Sequence, residues 1–390
     1  MKAVKGIIGL FKDLLIRILP NFLVPKRFKK YHYCFLGHPR GYREIYRKFP
    51  FFKKVPKSFL RFLIRHVLWP ITASEITGLK SLDDGHEIRG CVISVPMAAG
   101  EMLADRKRAT RQMRVAVRHA AKQGVKIIGL AGYTASLSKG GFDLIDLGVD
   151  VTTGHAYTAL NVVENYEAIL KRLDIYEKKK DITLAVLGAA GSVGSTVSKY
   201  LASQGVKKII LVDLERKIDK VHLLRDEMVI LNPEGDYAVT TDISSLKEAV
   251  VVFTATNASE ALITPDRTAP GTIYIDDTQP TDISKEVHFQ EDVLVLEAGA
   301  VRTPGVVTHF HFGLKHKEDN FCCMAELLAL SATGHTGNYV INRANMDNIL
   351  EMKALGQKLG FRVADFQNYH NTVTEESIDL VGDIVKSRIE

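Results

Sequence analysis

Two groups of residues in this chain have the types and spacing that chemistry needs. Cys322 and Cys323 stand side by side where an apolar run begins, with Glu326 one helical turn further on. A thiol near a helix N-terminus is held more readily as thiolate, the nucleophilic form. Glu326 is spaced to move a proton or to orient a polar neighbour. The second group is Thr183-Leu-Ala-Val-Leu-Gly188-Ala-Ala-Gly191-Ser-Val-Gly194, which runs on to Ile209-Ile-Leu-Val-Asp213. A strand, a glycine turn, a helix and a second strand ending in a carboxylate read as a dinucleotide-binding unit. Thioester chemistry would suit such a cofactor, because thiolate attack on an activated acyl group gives an acyl-enzyme whose carbonyl accepts hydride and collapses to an aldehyde.

Each residue of the turn has its own task. Gly188 makes the tight bend, Gly191 lets the backbone approach a pyrophosphate, and Gly194 lets the following helix lie close to the strand. Ala190 lies within the turn, and Ser192 and Val193 open the helix with free N–H groups and a positive dipole end. Asp213, followed by Leu214, is placed to accept from a ribose 2′-OH and to repel a 2′-phosphate, which favours NADH over NADPH. Arg216 and Lys217 pull the other way. Ligands of open α/β sheets sit outside the carboxyl ends of the strands, so Thr254-Ala255-Thr256 and Asp276-Asp277 are expected to border the nicotinamide. A glycine-flanked loop brings His335 and Asn338 as candidates for a proton or an oxyanion contact. Plainer readings stay open for each: a small core cysteine, a solvated Glu326, a structural loop histidine, and a glycine turn with no ligand.

Elements must carry these residues. Strand candidates recur at 183–187, 208–213, 237–241, 250–255, 272–276 and 293–297, with helical or short links between them, which predicts a Rossmann-type doubly wound parallel sheet over 181–305. Residues 71–180 read as a separate α/β substrate domain, with a strand at 88–95, a long basic helix over 100–123 and a short strand at 125–131. The small-polar loop Val151–Ala159, which includes Thr153, Gly154 and His155, leads into a helix over 160–173. Residues 306–390 form a C-terminal helical segment, with helices over 318–330 and 344–359.

Residues 1–70 hold 17 Lys and Arg against only Asp13 and Glu44, a charge of +15; since the whole chain carries +7, the remainder carries −8. Met1–Leu19 sets Val4, Ile7, Ile8, Phe11, Leu14, Leu15, Ile18 and Leu19 on one helical face and Lys2, Lys5, Lys12, Asp13 and Arg17 largely on the other, the pattern of an interfacial helix. An ordinary helix packed on the protein fits as well. The sharper alternatives are an anionic membrane surface or an acidic protein partner, and no nucleic-acid-binding module accompanies the charge. Lys12 and Asp13 interrupt the apolar run, which argues against a signal peptide, and the run is too short to span a bilayer. Four cysteines without a C-x-x-C pair predict neither a disulfide scaffold nor zinc, and no ligand cluster argues for a metal; a cytoplasmic protein, peripheral on the inner face of the membrane at most, is expected.

The helix Gly100–Met113, the strand-turn Gly129–Thr134, the loop Thr152–Ala159, the glycine turn and Phe321-Cys-Cys-Met-Ala-Glu326 occur in the order seen in cyanobacterial-type long-chain acyl-[acyl-carrier-protein] reductases. The chain resembles that family over roughly residues 33–365. The resemblance implies reduction of a fatty acyl thioester, presented by acyl carrier protein or coenzyme A, to a fatty aldehyde through a cysteine acyl-enzyme. Its cysteine setting, Phe-x-Cys-x-Ala-Glu, selects Cys323 over Cys322. It also implies that the loop Thr152–Thr158 borders the active site, with Thr153, Gly154 and His155 beside the substrate. Asp213-Leu214 departs from the family's neutral residue and arginine, and the basic N-terminal extension has no counterpart in it. Two rivals remain: a small-molecule dehydrogenase of the shikimate or methylene-tetrahydrofolate type, and a non-catalytic cofactor-binding protein that recruits partners to a membrane.

Overall fold

The computed structural model describes residues 2–39, 41–258, 260–368 and 373–389, with side chains described from residue 9 onward except at 48, 65 and 66. The chain forms two compact units, Met1–Gly154 with Thr303–Arg343, and His155–Arg302 with Ala344–Glu390. The boundaries expected at 70 and 180 are therefore corrected, and the segment 306–390 is shared between the units instead of standing alone. The physical reason lies in Tyr33–Leu36, four successive buried residues between basic flanks. Such a short continuous apolar run is how a strand covered on both faces reads, and it draws the basic segment into the first unit.

In that unit, β1 (Tyr33–Gly37), β2 (Ile71–Lys80), β3 (Glu87–Ser94), β4 (Ile127–Leu130) and β5 (Asp150–Thr152) form one mixed sheet in the order β2-β3-β1-β4-β5, and Val307–Thr308 adds an edge beside β2. β1 runs parallel to β3 and β4, whereas β2 is antiparallel to β3. Helix α1 (Lys2–Ile18), α2 (Lys57–His66) and α3 (Arg106–Lys122) pack with it. The long helix expected over 100–123 is interrupted at Asp105, whose carboxylate caps the second piece by accepting from Arg108 N–H at 3.1 Å. Met113, Val117 and Ala120 of α3 meet Leu36, Ile93 and Ile128 of the sheet in one core.

Helix α1 keeps the two faces that its sequence pattern divides, and the apolar one is turned outward. Asp13 is buried, and Phe11, Leu15 and Ile18 are exposed. Asp13 accepts from Thr72 N–H and Thr72 O–H, both at 2.8 Å, and bonds His119 Nε2 at 3.0 Å. A buried carboxylate with such partners turns the helix toward them, and α1 faces the body with Asp13 and Ile16. The side chains of Lys2, Val4, Lys5, Ile7 and Ile8 lie outside the described residues.

The second unit contains all six strands expected from the sequence: β6 (Leu184–Leu187), β7 (Lys208–Val212), β8 (Asp236–Thr240), β9 (Val251–Thr254), β10 (Ile273–Asp276) and β11 (Leu294–Glu297). Their order is β11-β10-β9-β6-β7-β8, and every pairing is parallel. This is the doubly wound order, and its direction reverses between β6 and β9. Helix α4 (His155–Arg172) starts the unit and α5 (Ser192–Ser203) follows the glycine turn. A helix over Glu375–Ile389 was not foreseen.

Candidate active site

The glycine turn of the second unit is built as its spacing predicts. Gly188 follows β6 at φ +89°, the left-handed region that favours glycine. A Cβ on Gly188 would lie 2.6 Å from the Ala255 carbonyl oxygen, and one on Gly194 would lie 2.5 Å from that of Gly188. Both collisions are with backbone, so side chains at these points would push α5 off β6 and open the end of β9. Gly191 is less tightly held, with a Cβ 3.0 Å from Gly188 O. The N–H groups of Ser192 and Val193 open α5 and lack partners within the helix. The Ser192 hydroxyl oxygen accepts from Ala344 N–H at 3.1 Å, which fixes the first turn. The cradle left between Gly188, Gly191 and the start of α5 fits a pyrophosphate.

Asp213 ends β7 with its carboxylate turned toward the turn. It accepts from Ala190 N–H and from Leu214 N–H, both at 2.8 Å, while Lys217 Nζ stands 3.2 Å away. The carboxylate is thus buried and partly neutralised, and the neighbouring Leu214 is exposed.

The ends of β9 and β10 are tied by carboxylates. Asp276 is buried and accepts from the hydroxyls of Thr254, Thr278 and Thr281 and from Thr278 N–H. Burial raises its pKa, and those hydrogen bonds oppose the rise. Thr256 donates to Asp282 at 2.6 Å, but the second carboxylate oxygen of Asp282 is buried without a hydrogen-bond partner among the described residues. Burial pushes this carboxyl up to about 7 despite the Thr256 bond. Asp277 is only half-buried, with its N–H 3.4 Å from Thr254 O. Asp282 was missed in the sequence; the repeated Thr and Asp of 276–282 were the available signal.

The first unit holds the thiols. Phe321 caps the helix Cys322–Ala332, with Cys322 buried and Cys323 partly exposed. Gly154 lies directly over Cys323, and a Cβ there would fall 2.3 Å from Cys323 Cβ and 2.6 Å from its Cα. Glu326, fully buried on the same helix, accepts from Thr152 O–H and, at 3.0 Å, from Gly154 N–H. Val340 N–H donates to Thr152 Oγ1, and Thr153 N–H donates to Val340 O. The Thr153 hydroxyl is buried without a hydrogen-bond partner among the described residues. Thr152, Thr153, Gly154, Cys323 and Glu326 therefore come together, with Glu326 holding the loop against the cysteine. Thr152, within the loop expected to border the active site, carries part of this clamp, a role its sequence position did not assign.

Other candidates stand apart. His335 lies beyond the far end of the cysteine helix, roughly 15 Å or more along it from Cys323, and its ring bonds Gly337 O. A catalytic partnership between His335 and Cys323 is corrected on that ground. Asn338 accepts from Val151 N–H at 2.9 Å and so extends the pairing of β5. His155 opens α4 in the second unit. Among the described residues no group of three or more His, Cys, Asp or Glu is arranged to hold a metal, and no helix is long and apolar enough to cross a membrane.

Residues 171–302, most of the second unit, match the family model of shikimate / quinate 5-dehydrogenase. With the parallel sheet and glycine cradle, that defines a dehydrogenase-type dinucleotide domain and an oxidoreductase-like protein. Among known proteins the chain is 25% identical over 302 residues to aminotransferase PigE of Serratia sp., covering 75% of this chain and 34% of that one. It thus spans about a third of the length of that relative. It is 28% identical over 311 residues to long-chain acyl-[acyl-carrier-protein] reductase of Synechococcus elongatus, covering 74% of this chain and 83% of that one. Quinate dehydrogenase of Corynebacterium glutamicum in complex with NAD superposes with a TM-score of 0.36 at 13% identity, over 85% of this chain and 99% of that one.

Proposed function

We propose that the protein reduces an acyl thioester to an aldehyde with a nicotinamide dinucleotide, through an acyl-enzyme on Cys323. The observation that carries this reading is the close approach of Gly154 to Cys323, held by Glu326, at the start of a helix. A cysteine that merely fills a core does not need a glycine loop clamped over it by a buried carboxylate. The likeness to an acyl-[acyl-carrier-protein] reductase along three-quarters of this chain supports the same substrate class, an acyl group on carrier protein or coenzyme A.

The Cys323 thiolate, favoured by the helix N-terminus, attacks the thioester carbonyl. The carbon–sulfur bond to the carrier breaks, and the departing thiolate takes a proton from water. The cradle at Gly188–Gly194 would hold a nicotinamide dinucleotide, which when bound would supply the hydride. The acyl carbon on Cys323 becomes a thiohemiacetal alkoxide, which expels the Cys323 thiolate as the aldehyde leaves. One thioester and one reduced dinucleotide, with one proton, give one aldehyde, one thiol and one oxidised dinucleotide. In the second unit, Gly188–Gly194 and the start of α5 would hold the pyrophosphate, and Asp213 the ribose that favours NADH. Thr254, Ala255, Thr256 and Asp277 would border the nicotinamide. Glu326 acts by positioning, since both of its described bonds go to the loop.

The test is acylation without cofactor. Wild type incubated with an acyl-CoA should gain the mass of one acyl group, Cys322→Ala should gain it too, and Cys323→Ala should not. Wild type left unmodified across several chain lengths would sink the proposal. Full dehydrogenase turnover of a small hydroxy acid by Cys323→Ala would replace it with the shikimate-type rival.

A further inference from the structure

The outer face of α1 is apolar where a surface helix of a soluble protein is ordinarily polar. Phe11, Leu15 and Ile18 fall at i, i+4 and i+7 spacing and are 68%, 43% and 69% exposed, and the chain continues into Phe22 at 83%. This face is fixed. Asp13 pins the middle of the helix to Thr72 and His119. Lys122 Nζ caps its end by donating to the carbonyls of Ile16, Arg17 and Leu19 at 3.3, 2.9 and 2.7 Å. The exposed row cannot roll inward without pulling a buried carboxylate off three donors.

A second row repeats the arrangement. Helix α2 buries Leu60 and Ile64 in a small core that Leu10 of α1 also joins, while Phe59 and Phe62 are exposed on α2 with their rings stacked 6.2 Å apart. Two helices that share one small core thus both turn aromatic and aliphatic side chains to solvent. The setting is strongly basic: Arg17, Lys26, Arg27 and Lys29 are exposed beside the first row, and Lys53, Lys54 and Lys57 beside the second. Between Asp13 and Glu44 the sequence holds no carboxylate side chain at all.

We propose that this face seats the protein on an anionic lipid bilayer, with the two apolar rows at the acyl boundary and the lysines and arginines at the headgroups. Charge complementarity selects the occupant. An apolar row flanked by Lys and Arg on a fixed helix is the pattern of interfacial binding to acidic lipid. The core of a protein interface is instead depleted in lysine, which makes an acidic protein the poorer fit.

The test uses the full chain, without substrate or cofactor, so its outcome is independent of catalysis. Vesicles of phosphatidylcholine with about one-third phosphatidylglycerol should carry the wild type in a flotation assay, and pure phosphatidylcholine should not. The exposed-site variant Phe11→Ser/Ile18→Ser/Phe22→Ser, which leaves charge and buried contacts intact, should lower partitioning about tenfold or more. Arg17→Gln/Lys26→Gln/Arg27→Gln should lower it by a similar factor, and raised salt should mimic that loss. Wild type that stays in solution with both vesicle types overturns the proposal, the more so if it is retained by an immobilised acidic carrier protein. Loss in the charge variant alone, with the serine variant floating normally, overturns the seating of the apolar rows.

Discussion

Glu326 illustrates how a residue that looks like an acid–base catalyst can act through its neighbours. It is fully buried, and its carboxylate accepts from the loop that lies over Cys323. A glutamine keeps an oxygen in that place; an alanine leaves Gly154 N–H and the Thr152 hydroxyl without it, and the loop loses its hold. Glu326→Gln should therefore acylate within about fivefold of wild type, and Glu326→Ala about a hundredfold more slowly, the cost of misplacing a reacting group. Single-turnover acylation followed by mass spectrometry reads both. Equal losses in the two variants would mean that the charge or proton of Glu326 is needed. The i, i+3 spacing of Cys323 and Glu326 was legible from the sequence. Their clamp on Gly154 was not, because Thr152 and Gly154 are more than 170 residues away and no local pattern links them.

Among the elements, β6, β7, β9, β10 and β11 of the second unit were legible because each is buried along most of its length and reads as an apolar run closed by turn residues. Helix α1 was legible only in part: its two faces follow from the spacing, but which of them meets the body does not. Its orientation depends on His119 and Thr72, partners that hydrophobic spacing does not reveal. The end of β7 shows a similar limit. Asp213 argues for NADH, yet Lys217, one turn on, sits 3.2 Å from it and softens its repulsion of a 2′-phosphate. Asp213→Ser should raise the ratio of NADPH to NADH efficiency about tenfold or more, and Lys217→Ala should lower it. Steady-state kcat/KM with each cofactor measures the ratio, and an unchanged ratio in Asp213→Ser would remove this residue from cofactor choice.

At the scale of the whole molecule, the charge divides sharply, with +15 in residues 1–70 and −8 elsewhere. The first unit takes in that basic segment because β1 lies inside it, a strand of five residues that length and composition did not advertise. The second unit carries a different electrostatic cost, two carboxyls pushed up to about 7 by burial: Asp282 and, opposed by Lys353, Glu164. In the unfolded chain both titrate near 4. Below about pH 4 both states hold the proton and neither group affects stability. Between about 4 and 7 the folded state keeps protons that the unfolded state has released, so stability falls as pH rises, and above about 7 the loss is complete. Each group should add roughly 1 kcal/mol per pH unit to that fall. Asp282→Asn retains the oxygen that accepts from Thr256 and cannot ionise, and Glu164→Gln likewise removes a titrating group. Urea unfolding at pH 5 and pH 8 should show the wild type losing more stability than either variant, with the double variant losing least. A wild-type difference that neither substitution reduces would place the pH dependence elsewhere in the chain and return both carboxyls to the ordinary range.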